Sequence, residues 1–219
     1  MTCRWCHRPL TTDFTLAELI GLRPLRLANL CPRCQARFAR IDPKTACPGC
    51  GRAHSPRLCQ DCRRWQARYP SLHHRALFTY SEEMRLFIQQ YKGLGHYQLH
   101  DAFVAELDLK RRGVALVPLV SEPGHLARRG FDPVVGLFGH LPLSRWLEKT
   151  DTAQPQAEKT RRERLATPQS FVATLPARPA ARVLLLDDLY TTGRTFYHAQ
   201  QALRAAGYTG EIHSFSLIR

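Results

Sequence analysis

Residues 183–195, Val-Leu-Leu-Leu-Asp-Asp-Leu-Tyr-Thr-Thr-Gly-Arg-Thr, run an apolar segment straight into two adjacent carboxylates and then a hydroxyl-rich glycine turn. An apolar run this short, bounded by turn residues, fits a strand covered on both faces at the centre of a parallel sheet, and so constrains this part of the chain to an α/β fold. Phe196 to Ala206 reads as the helix that follows. The start of a helix offers N–H groups with no partner inside the helix and the positive end of its dipole, which suits a phosphate monoester. Asp187 and Asp188 stand just before the turn, where carboxylates can accept hydrogen bonds from ribose hydroxyls and help to organise a magnesium ion. Two adjacent aspartates repel each other, so the fold must supply cations or donors to compensate them. Ordinary helix capping would account for the threonines taken alone.

All eight cysteines lie between Cys3 and Cys62, in four Cys-x-x-Cys pairs: Cys3/Cys6, Cys31/Cys34, Cys47/Cys50 and Cys59/Cys62. The two-residue spacing lets both thiolates of a knuckle face one tetrahedral ion, so four knuckles predict two structural zinc sites. A disulfide framework is the competing reading. With no signal peptide or membrane-length apolar run ahead of the cysteines, a reducing cytosol fits better. A thioredoxin-like pair would sit beside a βαβ pattern and would not recur four times. The short gap from Cys50 to Cys59 favours sequential pairing, first knuckle with second and third with fourth; a cross-braced arrangement stays open.

The cysteines stop before residue 70 of 219, which divides the chain into a metal-dependent unit, 1–70, and an α/β unit, 74–219, with Tyr69-Pro70-Ser71 as a linker. Charge follows the same division. Residues 1–75 carry fourteen Lys or Arg against four Asp or Glu, while residues 76–219 carry eighteen against fourteen. Arg37, Arg40, Lys44, Arg63, Arg64 and Arg68 are candidate contacts for nucleic-acid phosphates. The interleaved Phe38, Trp65 and Tyr69 are expected either to stack on unpaired bases or to pack around the knuckles.

Arg75 to Ser81 reads as an edge strand, and Glu82 to Tyr91 as a helix with Met84, Phe87, Ile88 and Tyr91 on its buried stripe, ended by Lys92-Gly93-Leu94-Gly95. Asp101 to Arg111 reads as a further helix, and Val114 to Val120 as a strand. Ser121 to Asp132 reads as a loop whose Arg128 and Arg129 are candidates for binding a diphosphate, or else a surface pair. Residues 148–169, charged and poor in apolar side chains, suit a mobile loop or lid, and Glu211 to Ile218 alternates like a closing strand.

The Asp187 to Thr195 segment resembles the phosphoribosyl diphosphate (PRPP) signature of type I phosphoribosyltransferases, Asp-Asp-x-x-Thr-Thr-Gly-x-Thr, at every fixed position. Together with the cysteine pairs, Lys92-Gly93-Leu94-Gly95, Arg129-Gly130-Phe131, and Gln156, Arg164 and Phe171, the whole chain resembles the ComF family of competence-associated proteins, ComFC and GntX-like. The chain departs from that family in having Asp132-Pro133 where Asn-Gln is common, Gly93 in an aromatic slot, and Lys159 and Thr167 where Leu and Asn are usual. The resemblance implies a type I phosphoribosyltransferase-like parallel sheet with flanking helices, plus an N-terminal double zinc-ribbon or knuckle module. It implies PRPP and Mg2+ on Asp187, Asp188, Thr191, Thr192, Gly193, Arg194 and Thr195, with Lys92, Arg128, Arg129 and Arg164 as further diphosphate or lid contacts. It also implies a cytoplasmic protein that handles internalised single-stranded DNA in natural transformation, with the helicase-like ComFA and recombination proteins as partners. Catalysis of phosphoribosyl transfer to a nucleobase or other acceptor is the alternative, and no acceptor pocket is recognisable in the sequence.

Overall fold

The computed structural model describes residues 1–10, 16–21, 28–109, 111–150 and 170–219. Four parallel strands, β1 (Arg75–Phe78), β2 (Val114–Pro118), β5 (Arg182–Leu189) and β6 (Glu211–Ile218), form one sheet in the order β1-β6-β5-β2. Strands β3 (Leu147–Lys149) and β4 (Phe171–Ala173) pair antiparallel in a second, two-stranded sheet. The expected edge strand is β1, and the apolar run before the carboxylates is the interior strand β5, hydrogen-bonded on both sides.

Alternation along the strands divides the interior into two layers. Val183, Leu185, Ala115 and Val117 face one way, towards Phe196, Tyr197, Ala199 and Leu203 of helix α7 (Arg194–Ala205), which crosses from β5 to β6. Leu116, Leu186, Phe215 and Leu217 face the other way, towards helices α4 (Glu82–Ile88) and α6 (Pro133–Phe138). Both of those helices begin at a side-chain cap. Ser81 accepts from the Met84 N–H, and Asp132 accepts from the N–H groups of Val134 and Val135.

The cysteines join both layers. Cys47, Cys50, Cys59 and Cys62 are buried with the α7 layer, and Cys3 and Cys34 with the α4 layer. Three short helices accompany them, α1 (Leu16–Leu19), α2 (Pro32–Gln35) and α3 (Gln60–Gln66). The segment read as a linker is tied to the sheet layer, since Gln200 Nε2 donates to the Pro70 carbonyl at 3.2 Å and Leu72 is buried.

Three sequence expectations are corrected. The helix from Glu82 is α-helical only to Ile88 and continues as a π turn, Gln89–Gly93, carrying Tyr91 and Lys92. Asp101 to Arg111 is not an α-helix but two 3-10 turns, Tyr97–Asp101 and Val104–Glu106. The Asp101 carbonyl accepts from Asn29 Nδ2 at 2.8 Å, so it is engaged outside its own segment. The Ser121–Asp132 loop contains helix α5 (Pro123–Arg129), opened by a proline and closed by Gly130 at φ 80°. Gln156, Lys159, Arg164 and Thr167 of the expected lid lie outside the described residues. No described helix is long and apolar enough to cross a membrane.

Candidate functional site

Asp187 and Asp188 end strand β5, and the alternation that separates the two layers sends their side chains to opposite faces. Asp188 is buried and forms an ion pair with Lys92 on the π turn that follows α4. Asp187 accepts from the Asp188 N–H at 2.9 Å. Burial and the adjacent Asp188 charge raise the Asp187 carboxyl well above the usual carboxylate range, with Lys92 acting in the opposite sense. The compensation that adjacent aspartates demand is therefore divided, a cation for one and a shifted proton affinity for the other.

The turn after β5 is fixed from its carbonyl side. Trp65 Nε1 donates to the Thr192 carbonyl at 2.7 Å. Arg219 Nη1 donates to the Thr191 carbonyl at 3.2 Å and to that of Tyr190 at 3.4 Å, and its guanidinium lies 4.5 Å from the centre of the Tyr190 ring. All peptide bonds described are trans, and in a trans peptide the N–H points opposite to the preceding carbonyl. The carbonyls of Tyr190, Thr191 and Thr192 are thus held by Arg219 and Trp65, which fixes the peptide planes that carry the Thr191, Thr192 and Gly193 N–H groups. Gly193 caps α7 at φ 86°, where a Cβ would stand 2.2 Å from Tyr190 Oη, so only glycine fits. The first-turn amides of the twelve-residue α7 continue the donor array.

Arg129 Nε donates to the Lys92 carbonyl at 3.1 Å, which brings two of the expected diphosphate contacts together. Arg128 is exposed and lies 3.1 Å from His125 Nδ1. A residue not anticipated is Lys149 at the end of β3, paired with the buried Glu122 at 3.1 Å. Its charge is felt at Asp187 and at His198, whose pKa is lowered to about 4 by burial, with Arg194 and Lys149 contributing. No sequence signal marked it, because the burial that makes Glu122 need a cation is set by the fold.

The cysteines group as Cys3, Cys6, Cys31 and Cys34, and as Cys47, Cys50, Cys59 and Cys62, the sequential pairing. A tetrahedral zinc with Zn–S bonds of about 2.3 Å sets its sulfurs roughly 3.8 Å apart. The Sγ separations are 3.8 Å for Cys6–Cys31, 3.7 Å for Cys47–Cys62 and 3.6 Å for Cys50–Cys59. The donor sets therefore fit two four-thiolate zinc ions. The Cys50 thiol is brought down to about 4, mainly by its hydrogen bond with Cys62 and then, against burial, by the Arg219 charge.

Among the nucleic-acid candidates, Lys44, Arg63, Arg64 and Arg68 are exposed. Arg37 pairs with Glu83 at 2.7 Å and Arg40 with Glu106 at 3.3 Å. The aromatics near them are not a stacking platform: Phe38 and Trp65 are buried, Phe38 among Trp5, Phe78, Phe87 and Phe103, and Trp65 stacked on Tyr197 at 4.7 Å. Tyr80 and Tyr97 are exposed among the described residues, Tyr97 stacked on His100 at 4.4 Å and edge-on to Phe131.

No protein-family model matches the chain. It is 34% identical over 227 residues to competence protein ComFC of Streptococcus pneumoniae (strain ATCC BAA-255 / R6), with all of both chains covered. It is 28% identical over 236 residues to competence protein ComFC of Bacillus subtilis (strain 168), covering all of this chain and 95% of that relative.

Proposed function

We propose that this chain, which belongs to the ComFC family of competence proteins, binds PRPP with Mg2+ at Asp187–Thr195 and single-stranded DNA on its basic zinc-bearing region, and assists the handling of DNA taken up in natural transformation. One observation carries the ligand half of this reading: Arg219 and Trp65 fix the peptide planes of the Thr191, Thr192 and Gly193 amides at the start of a twelve-residue helix, beside two carboxylates at the end of an interior parallel strand. A diphosphate ester of ribose offers anionic oxygens to those amides and hydroxyls to Asp187 and Asp188. Magnesium would be held by the carboxylates together with ligand oxygens and would neutralise part of the charge. The sheet and the helix that follows the loop are those of a type I phosphoribosyltransferase-like domain in this reading.

The DNA half rests on exposed Arg63, Arg64, Arg68 and Lys44, which would neutralise phosphates along an unpaired strand. Partners of the helicase-like ComFA kind and a cytoplasmic setting belong to the same proposal. Calorimetric titration of Mg2+ and PRPP into zinc-loaded protein, with and without a short single strand, tests it. Saturable binding that is lost in Asp187→Asn/Asp188→Asn is expected; heats indistinguishable from dilution would remove the ligand half. Charge reversal at Arg63 and Arg64 is expected to weaken salt-sensitive DNA binding, and binding that ignores salt would remove the other half.

The second reading is phosphoribosyl transfer to a nucleobase or other acceptor. Diphosphate release from PRPP across a panel of acceptors separates the two readings, since a binding protein releases none.

A further inference from the structure

We infer that the Cys47/Cys50/Cys59/Cys62 centre positions the phosphate loop through two side chains, Trp65 and Arg219, so that metal held there shapes the ligand site. The ligand consequence rests on reading Asp187–Thr195 as a phosphate site.

The connection is direct on both arms. Helix α3 is seven residues long, too short to persist without external support, and two of the four thiols hold it: Cys59 is its N-cap and Cys62 lies in its first turn. Trp65, three residues beyond Cys62, therefore stands on the same helical face and reaches the Thr192 carbonyl. The second arm is a single guanidinium. Arg219 Nη2 donates to Cys50 Sγ at 3.2 Å while Nη1 donates to the Thr191 carbonyl at 3.2 Å, so the planar fork fixes the distance between a metal ligand and the loop.

Tyr190 closes the bracket. Its ring lies between Arg219, at 4.5 Å, and Phe196, at 5.4 Å, and its hydroxyl abuts Gly193. A guanidinium withdrawn from Cys50 would release the Tyr190 ring and two loop carbonyls together. The peptide planes of Thr191 and Thr192 could then rotate, and the amides they carry would no longer be held in one orientation. The chain's other four-thiolate centre makes polar contacts to Asp101, Glu83 and Glu106 through Arg4, Trp5 and Gln35, and, among the described residues, none to the loop.

The test uses the full, zinc-loaded chain and two readouts, amide hydrogen exchange at residues 190–195 without ligand and calorimetric binding of Mg2+ and PRPP. Arg219→Gln and Trp65→Phe each keep all eight thiols, so a zinc content of two per chain and an unchanged circular dichroism spectrum certify the fold. Exchange at Tyr190 and Arg194, whose N–H groups donate to the Ile218 carbonyl and to Thr192 Oγ1 at the two ends of the loop, is expected to quicken about tenfold in each variant, the loss of one strong hydrogen bond, with PRPP affinity falling by a similar factor. In Cys6→Ser, which touches the other centre, loop exchange should stay at the wild-type rate. Loop exchange unchanged in both Arg219→Gln and Trp65→Phe overturns the inference. If wild type binds no PRPP and the exchange still depends on Arg219 and Trp65, the positioning stands and the phosphate reading falls.

Discussion

The two cysteine centres use the same four-thiolate chemistry and the same two-residue spacing, yet they are built into different parts of the molecule. The first is half open, with Cys6 and Cys31 partly exposed, and its knuckle side chains reach outward elements. Arg4 grips Asp101 with bonds of 2.9 and 2.8 Å, and Trp5 Nε1 donates to Glu83 at 2.7 Å. The second is fully buried, and its tryptophan and its arginine partner reach the turn after β5. From Glu83 the first centre is joined to the carboxylates along α4 and the π turn to Lys92, nine residues and roughly 13 Å at helical rise. The second reaches the loop in one side chain. Location, rather than ligand set, separates a centre that staples a fold from one that shapes a site.

Removal of ligands gives the largest effect. Structural zinc contributes on the order of 10 kcal/mol to small modules that depend on it, so Cys3→Ser/Cys6→Ser and Cys59→Ser/Cys62→Ser should each lower the melting temperature steeply and leave one zinc per chain. Only the second pair should also abolish PRPP binding; loss in both, measured by calorimetry below the melting temperature, would erase the distinction. The tryptophans offer a matched and milder comparison. Trp5→Phe and Trp65→Phe each remove one indole donor, and each should cost about 1–3 kcal/mol in denaturant titrations. Ligand affinity should follow Trp65 and ignore Trp5.

Acidity separates the loop from both centres. Because the Asp187 carboxyl is raised, its ionisation opposes folding, so ligand-free stability should decline as pH climbs from the ordinary carboxylate range through the raised value. Magnesium favours the ionised form, so PRPP binding should tighten over the same interval and release up to one proton, read from heats in buffers of different ionisation enthalpy. Asp187→Asn should remove both slopes. The smallest effect belongs to Arg4→Ala, which breaks a partly exposed pair and should cost about 1 kcal/mol or less, with loop exchange unaltered.

The parts of this arrangement that follow from local pattern were legible in the sequence. Strand β5 announces itself because both its faces are covered, and the cysteine grouping follows from spacing and the short Cys50 to Cys59 gap. Membership of the competence-protein family was also legible from the motifs. Long-range pairing was not. Nothing around Trp65 says that its indole meets a carbonyl 127 residues away, and its basic neighbours left stacking on bases and packing around the knuckles both open. Arg219 carries no motif at all. Asp101 to Arg111 has helical apolar spacing, with Phe103 and Leu107 buried, but Arg4, Asn29 and Gln35 hold Asp101 and Glu106 from outside the segment. Pro123 and Gly130, in turn, are a helix start and stop that read as loop residues when the eye is drawn to the arginines between them.

The π turn at Gln89–Gly93 has a consequence for how the helix may be edited. A π turn is an α-helix carrying one surplus residue, and each residue turns the side chains beyond it by about 100°. Excising one residue from this stretch would let the backbone relax to regular winding with Lys92 still near the face on which Asp188 waits, because the turn already absorbs the surplus, whereas a deletion within Glu82–Ile88 would swing it away. Substitution at the same positions leaves the count intact. A deletion scan is therefore expected to cost the Lys92–Asp188 pair least between Gln89 and Gly93 and most within Glu82–Ile88, where no surplus residue absorbs the loss.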